Sequence, residues 1–209
     1  FPEDGFLGEE TGRSELGKKN CIWVVDPIDG TQPFISGMTG WCVSIALVVD
    51  GVNEMGFVFA PARNELFAGW RGGQATLNGR PVSVRDVSAL TEGILATGYS
   101  LRVGTDKFVP FFANLLREGA MFYREGSGAL SLCYVACGRL DGYWERGLSP
   151  WDLAAGVAIV AAAGGIVTAY DRTPFDIRSG RILATNGRLH EELSQELLYV
   201  AQIEPWSWL

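Results

Sequence analysis

The chain has 209 residues, 47% of them hydrophobic and 20% charged, which supplies enough apolar material for a sizeable core and argues against disorder. Its net charge of −7 excludes a broad basic footprint for nucleic acid or an anionic membrane, although a bound metal can reverse the field at a single site. The length fits one large domain or two halves sharing a core.

The first twenty residues, FPEDGFLGEETGRSELGKKN, are polar and glycine-rich. They predict a loop whose one sharp feature is Gly8-Glu9-Glu10. The chain opens on Phe1 rather than Met and reads there like the middle of a longer protein, with no signal peptide. CIWVV is a short β-branched and aromatic run and predicts a buried strand. It runs straight into Asp26 and Asp29, with Pro27 between them and Gly30-Thr31 after. WCVSIALVVDGVNEMGFVFAP predicts two strands turning at Asp50-Gly51. Further turns at Arg71-Gly72-Gly73 and Asn78-Gly79 make the first half a mainly antiparallel sheet.

The pattern then changes. EGILATGYS, AMFYREG, DGYWERG, IVTAY and RILATN read as strands. TDKFVPFFANLLREG, SGALSLCYVACGRL, SPWDLAAGVAIVAAAGG and GRLHEELSQELL read as helices, the third with a Ser-Pro start and a Gly-Gly stop. Alternating strands and helices predict an α/β second half. The expected division is 1–90 and 91–209, with a boundary near residues 88 to 95 and the halves closely packed. The longest apolar stretch, LAAGVAIVAAAGGIV, is too short and too broken by glycines to span a membrane.

Several residue types point to bland roles. The four cysteines, Cys21, Cys42, Cys133 and Cys137, form no CxxC pair and read as buried, reduced thiols of a cytoplasmic protein. The single histidine, His190, is expected on an exposed helix face, which argues against a histidine zinc site and a Ser-His-Asp triad. Trp41, Trp70 and Trp144 read as core or interface residues. Arg63, Arg71, Arg124 and Arg146 read as solvated surface arginines, Arg146 set apart by its neighbour Glu145. The terminal EPWSWL is apolar enough to dock on the body or on a partner subunit.

Carboxylates at the ends of apolar elements are the exception. Glu9 and Glu10, Asp26 and Asp29, and Asp152 each have an ordinary reading as turn or helix-cap residues. Together they form a hard-oxygen ligand set with no histidine or thiolate, which favours Mg²⁺ over zinc. Gly30-Thr31 adds backbone donors suited to an anion, so the chemistry pointed to is metal-assisted phosphoryl transfer to water.

WVVDPIDGTQPF and WDLAAGVAIVAAAGG resemble the two signature motifs of the inositol monophosphatase family, and GFLGEE resembles its third metal-binding stretch. DGYWERG is similar to a substrate-contacting segment of the same family. The resemblance implies an α+β fold, a layered αβαβα sandwich of the inositol monophosphatase and fructose bisphosphatase type. It implies a lithium-sensitive, Mg²⁺-dependent phosphatase, cytoplasmic and homodimeric, that hydrolyses a small-molecule phosphate monoester by direct attack of metal-activated water. Neither nucleic acid nor a membrane is expected as a partner.

By the same resemblance Glu9 binds metal and, with Thr31, orients the attacking water. Asp26, the Ile28 carbonyl, Asp29 and Asp152 are further metal ligands. Gly30 and Thr31 receive the phosphate. Ser127, Gly128, Glu145 and Asp29 line the substrate pocket. The first substrate expected is a myo-inositol monophosphate. Histidinol phosphate, phosphoadenosine phosphate, fructose bisphosphate and NADP are the rivals, and a regulatory protein that keeps the fold without catalysis is the alternative class. Three departures stand out. Pro33 takes the place of a common asparagine. Ala162 takes the place of a frequent glutamate, expected to change packing or polarity behind the site. A helical segment carrying an acidic residue that supports the threonine, usual ahead of the GEE stretch, is expected to be missing.

Overall fold

The computed structural model describes residues 3–10, 20–99 and 105–202. The first sheet holds β1 (Gly5–Gly8), β2 (Cys21–Asp29), β3 (Cys42–Val49), β4 (Val52–Ala60), β5 (Glu65–Trp70), β6 (Thr76–Leu77) and β7 (Arg80–Pro81), adjacent in sequence order. A short helix, α1 (Thr31–Ile35), leaves the end of β2. β1 pairs with β2 in parallel, and every later neighbour is antiparallel. The strands alternate as a half-buried sheet must: β3 buries Cys42, Ser44, Ala46 and Val48 and leaves the residues between them half-exposed. Asp50 and Gly51 both take positive φ (50° and 79°), the two-residue turn that suits the twist of a hairpin.

β1 corrects the expectation of an unbroken loop. Phe6 and Leu7 pair beside Trp23 and Val24, and Leu7 is fully buried. A strand of four residues flanked by glycines is too short to show a period. Residues 11–19 of that predicted loop lie outside the described residues, as does the terminal EPWSWL.

The second sheet is mixed. Along the chain come β8 (Ile94–Thr97), α2 (Thr105–Arg117), β9 (Met121–Tyr123), α3 (Gly128–Ala136), β10 (Gly142–Arg146), α4 (Pro150–Ala162), β11 (Ile166–Thr168), β12 (Arg181–Thr185) and α5 (His190–Gln202). The spatial order is β11-β12-β10-β8-β9. β8, β9 and β10 run parallel, while β11 and β12 pair antiparallel.

α3 and α4 lie between the sheets. Every residue of α3 is buried, as expected of a helix that is apolar all round. α4 packs on β2 to β5 and on α3, and α3 packs on β10 and β12. α2 and α5 pair with each other on the far side of the second sheet, over a cluster built on Phe111, Trp144, Leu183 and Leu193. The sheets divide between Pro81 and Ile94, and the main core runs through both.

Two bland readings need correction, those of His190 and Arg63, while Trp70 is placed at the surface. His190 starts α5 half-buried, with Nδ1 and Nε2 each 3.0 Å from a threonine hydroxyl, Thr185 and Thr168 respectively. Trp70 is 47% exposed on the outer face of the first sheet, beside exposed Phe57, Phe59 and Leu66. Arg63 is no solvated arginine: it forms an ion pair with buried Glu125. The four cysteines are free thiols.

Candidate active site

β2 ends in a bulge. Asp26 faces Ser44 and Asp29 faces Cys42, so Pro27 and Ile28 together oppose one residue of β3. In a regular strand two residues three apart point to opposite faces. The extra residue turns Asp29 back to the inner face, and both carboxylates end up buried, at 2% and 7% exposure. The Ile28 N–H donates to Asp26 Oδ1 (2.9 Å) and fixes the turn.

Asp152 arrives from the first turn of α4. Its carboxylate accepts from the Ser149 N–H (2.7 Å), so it does cap its helix. The Ser44 hydroxyl donates to the Trp151 carbonyl (3.2 Å) and ties that turn to β3. The cap reading and the cluster reading are therefore both true. One oxygen from each of Asp26, Asp29 and Asp152 lies within 4.8 Å of the others.

Asp29 is held by the N-terminus of α3. Ser127 Oγ donates to Oδ2 at 2.5 Å and the Ala129 N–H at 2.7 Å. Ser127 also caps that helix by accepting from the Leu130 N–H (3.1 Å). These donors favour the charged form of Asp29, but burial outweighs them and its pKa is raised. Burial, with the Asp29 charge behind it, pushes Asp26 up to about 6 and Asp152 up to about 8. Among the described residues none of the three is ion-paired to lysine or arginine. Three crowded carboxylates that resist ionisation form a site a divalent cation would relieve.

Glu9 follows β1, which places Gly8 beside Val25. Its exposed side chain lies close enough to Asp26 to bear on that carboxyl's titration. Glu10 is exposed. Gly30 takes φ +94°, and a Cβ there would sit 2.6 Å from the Gly40 carbonyl oxygen and 3.2 Å from Ser127 Cβ. Only glycine fits. The Phe34 N–H closes α1 on the Gly30 carbonyl (3.0 Å). The Thr31 hydroxyl donates to the Ile28 carbonyl (3.3 Å). Pro33 is buried within α1, where it removes one first-turn donor and leaves those of Thr31 and Gln32. Ala162 corrects an expectation. It lies ten residues after Asp152, at the other end of α4 and about 15 Å along the helix axis, next to Gly69. Whatever it changes, it is not behind these carboxylates.

A polar recess of about 110 Å³ opens beside the cluster, lined among others by Asp29, Arg124, Ser127, Gly128, Tyr143, Glu145 and Asp152. Tyr143 donates its hydroxyl to Glu145 Oε2, and burial pushes Glu145 up to about 7. The recess thus brings together Asp29, Asp152, Ser127, Gly128 and Glu145. Sequence reasoning missed Tyr143 and Glu125. Tyr143 carried a signal, since residues two apart on a strand share a face. Arg124, set aside as a surface arginine, is exposed but lines this recess.

A family model described as the inositol monophosphatase family matches residues 1–201. The chain belongs to the inositol monophosphatase family. That membership makes it a phosphoric monoester hydrolase. An inositol-1-monophosphatase of Synechocystis is 46% identical over 203 residues, 96% of this chain and 71% of that protein. The Haemophilus influenzae protein named Nus factor SuhB is 40% identical over 201 residues, 94% of this chain and 74% of its own length. The solved inositol monophosphatase of Anabaena superposes with a TM-score of 0.91 at 44% identity, covering 99% of this chain and 82% of that one. The αβαβα layering of such inositol monophosphatases is the fold class expected from the sequence.

Proposed function

We propose that this member of the inositol monophosphatase family hydrolyses a small-molecule phosphate monoester with Mg²⁺, and that a myo-inositol monophosphate is its substrate. The observation that carries this is the meeting of Asp26, Asp29 and Asp152 within 4.8 Å at the edge of a recess that also holds Glu145. The substrate choice is supported by the Synechocystis relative, named inositol-1-monophosphatase.

Asp26, Asp29, Asp152 and the Ile28 carbonyl would hold the metal, with Glu9 alongside. Carboxylates and a carbonyl are the hard oxygen donors Mg²⁺ prefers. When bound, the ion supplies Lewis acidity toward water and charge neutralisation for phosphate. Lithium inhibition is expected to accompany it. Thr31 donates to a carbonyl and so keeps its lone pairs for a water proton. Glu9 can accept a second proton from that water. Gly30 and Thr31 give the phosphate a backbone seat with no side chain in the way. Tyr143 occupies Glu145 Oε2, which leaves Oε1 to accept from a hydroxyl of the leaving alcohol. Ser127 and Gly128 form the wall between that carboxylate and Asp29.

Phosphate release from myo-inositol 1-phosphate, histidinol phosphate, phosphoadenosine phosphate, fructose bisphosphate and NADP tests the reading, with Mg²⁺ and with chelator. Mg²⁺-dependent release, fastest from the inositol ester, is expected. A second reading, a regulatory role through a partner, is favoured by the relatives named Nus factor SuhB. No release from any ester would select it.

A further inference from the structure

Glu125 is a buried carboxylate in the wall of the recess that takes no part in the acidic cluster. Its side chain is 1% exposed, and three chain segments converge on it. Arg63, in the turn after β4, places Nη2 2.5 Å from Oε1. Tyr123, at the end of β9, donates its hydroxyl to Oε2. Gly40, just ahead of β3, passes so close that a Cβ there would lie 2.7 Å from Oε1 and 2.9 Å from the Glu125 carbonyl oxygen. Arg63 also donates to the hydroxyl of Thr39, with Nη2 at 3.2 Å. The Gly40 carbonyl in turn abuts Gly30.

We propose that Glu125, gripped by Arg63 and Tyr123, is a positioning residue: it locks residues 124–127 against Gly40 and thereby sets the spacing between the Gly30 backbone and the substrate wall at Ser127. The chemistry favours such a lock. A buried carboxylate bound to a guanidinium has one narrow geometry. Arg63 comes from the turn between β4 and β5 and Glu125 from the loop that enters α3, so the pair ties the first sheet to the wall of the recess. Neither residue contacts the three clustered aspartates through any described hydrogen bond or ion pair. The effect therefore falls on the seating of the ester more than on the metal.

This inference rests on the recess being the phosphate-ester site, so the test has one readout that needs turnover and one that does not. Arg63→Met, Arg63→Lys and Glu125→Gln are made in the full chain. With myo-inositol 1-phosphate and Mg²⁺, Arg63→Met and Glu125→Gln are expected to raise KM about tenfold while kcat stays within about twofold, and Arg63→Lys, which keeps the charge without the fork, recovers only part of the loss. Amide exchange in peptides covering 124–130 and 30–41 is expected to quicken in the same two variants, with α5 unchanged. A lowered melting temperature with KM and local exchange both unaltered would mean a merely structural pair and overturn the inference. If the wild type turns over no ester, the proposed function fails, while the exchange measurement still decides for or against the lock.

Discussion

Ser127 Oγ stands 2.5 Å from Asp29 Oδ2, joining the start of α3 to the end of β2. The Ala129 N–H reaches the same oxygen, and the Ser149 N–H reaches Asp152. Two helix N-termini thus converge on one acidic cluster, and their partial positive charge offsets some of the crowding.

Ser127→Ala removes a donor to Asp29 and the cap of α3 together. We expect a loss of about 1–2 kcal/mol in chelator and divalent-ion binding weakened about tenfold. Urea unfolding measures the first and calorimetric Mg²⁺ titration the second.

Asp152→Asn removes one charge of the cluster while its amide oxygen can still accept from Ser149. We expect phosphate release to fall by about 10²-fold or more. Burial and the Asp29 charge already raise the pKa of this carboxyl, so the metal-free variant is expected to melt no lower than the wild type. Full activity would remove Asp152 from the site.

The metal-free protein has an inverted pH response. Asp26, Glu145 and Asp152 titrate at about 6, 7 and 8 in the fold, against about 4 when unfolded. Between those limits the folded state holds more protons than the unfolded one, so stability falls as pH rises. In chelator the melting temperature is expected to drop from about pH 5 to about pH 8. Saturating Mg²⁺, which binds the ionised carboxylates, is expected to flatten or reverse the trend. A melting series with and without Mg²⁺ checks both signs.

Gly30→Ala places a methyl against the Gly40 carbonyl at a backbone angle that alanine rarely adopts. We expect a stability cost of about 1–3 kcal/mol and kcat/KM lowered about tenfold or more. Thermal melts and phosphate release on the same preparation measure the two.

Much of the frame was legible because its signals are periodic or terminal. CIWVV and the β3–β4 hairpin alternate or turn at Asp-Gly. α3 and α4 are apolar all round, with serine at their starts. β1 was not legible, since four residues between glycines carry no period. Asp26 and Asp29 could be read as a pair, but their common direction depends on a bulge that spacing alone does not reveal. That Asp152 meets them is a product of tertiary packing, and only the family resemblance led to it. Glu125 and Arg63 lie in irregular segments, where a charge looks the same whether solvated or locked. His190 was misplaced because a helix start and an exposed helix face share the same polar neighbours.

The two-for-one pairing at Pro27-Ile28 makes the interval between Asp26 and Asp29 a matter of chain length as much as of residue type. Deleting either bulged residue would restore regular pairing and keep both aspartates on the inner face, since residues two apart on a strand share a side. What it would remove is the turn in which the Ile28 N–H holds Asp26, and with it the place of the Ile28 carbonyl. A single-residue deletion there therefore separates the facing of the two carboxylates, which survives, from the turn between them, which does not.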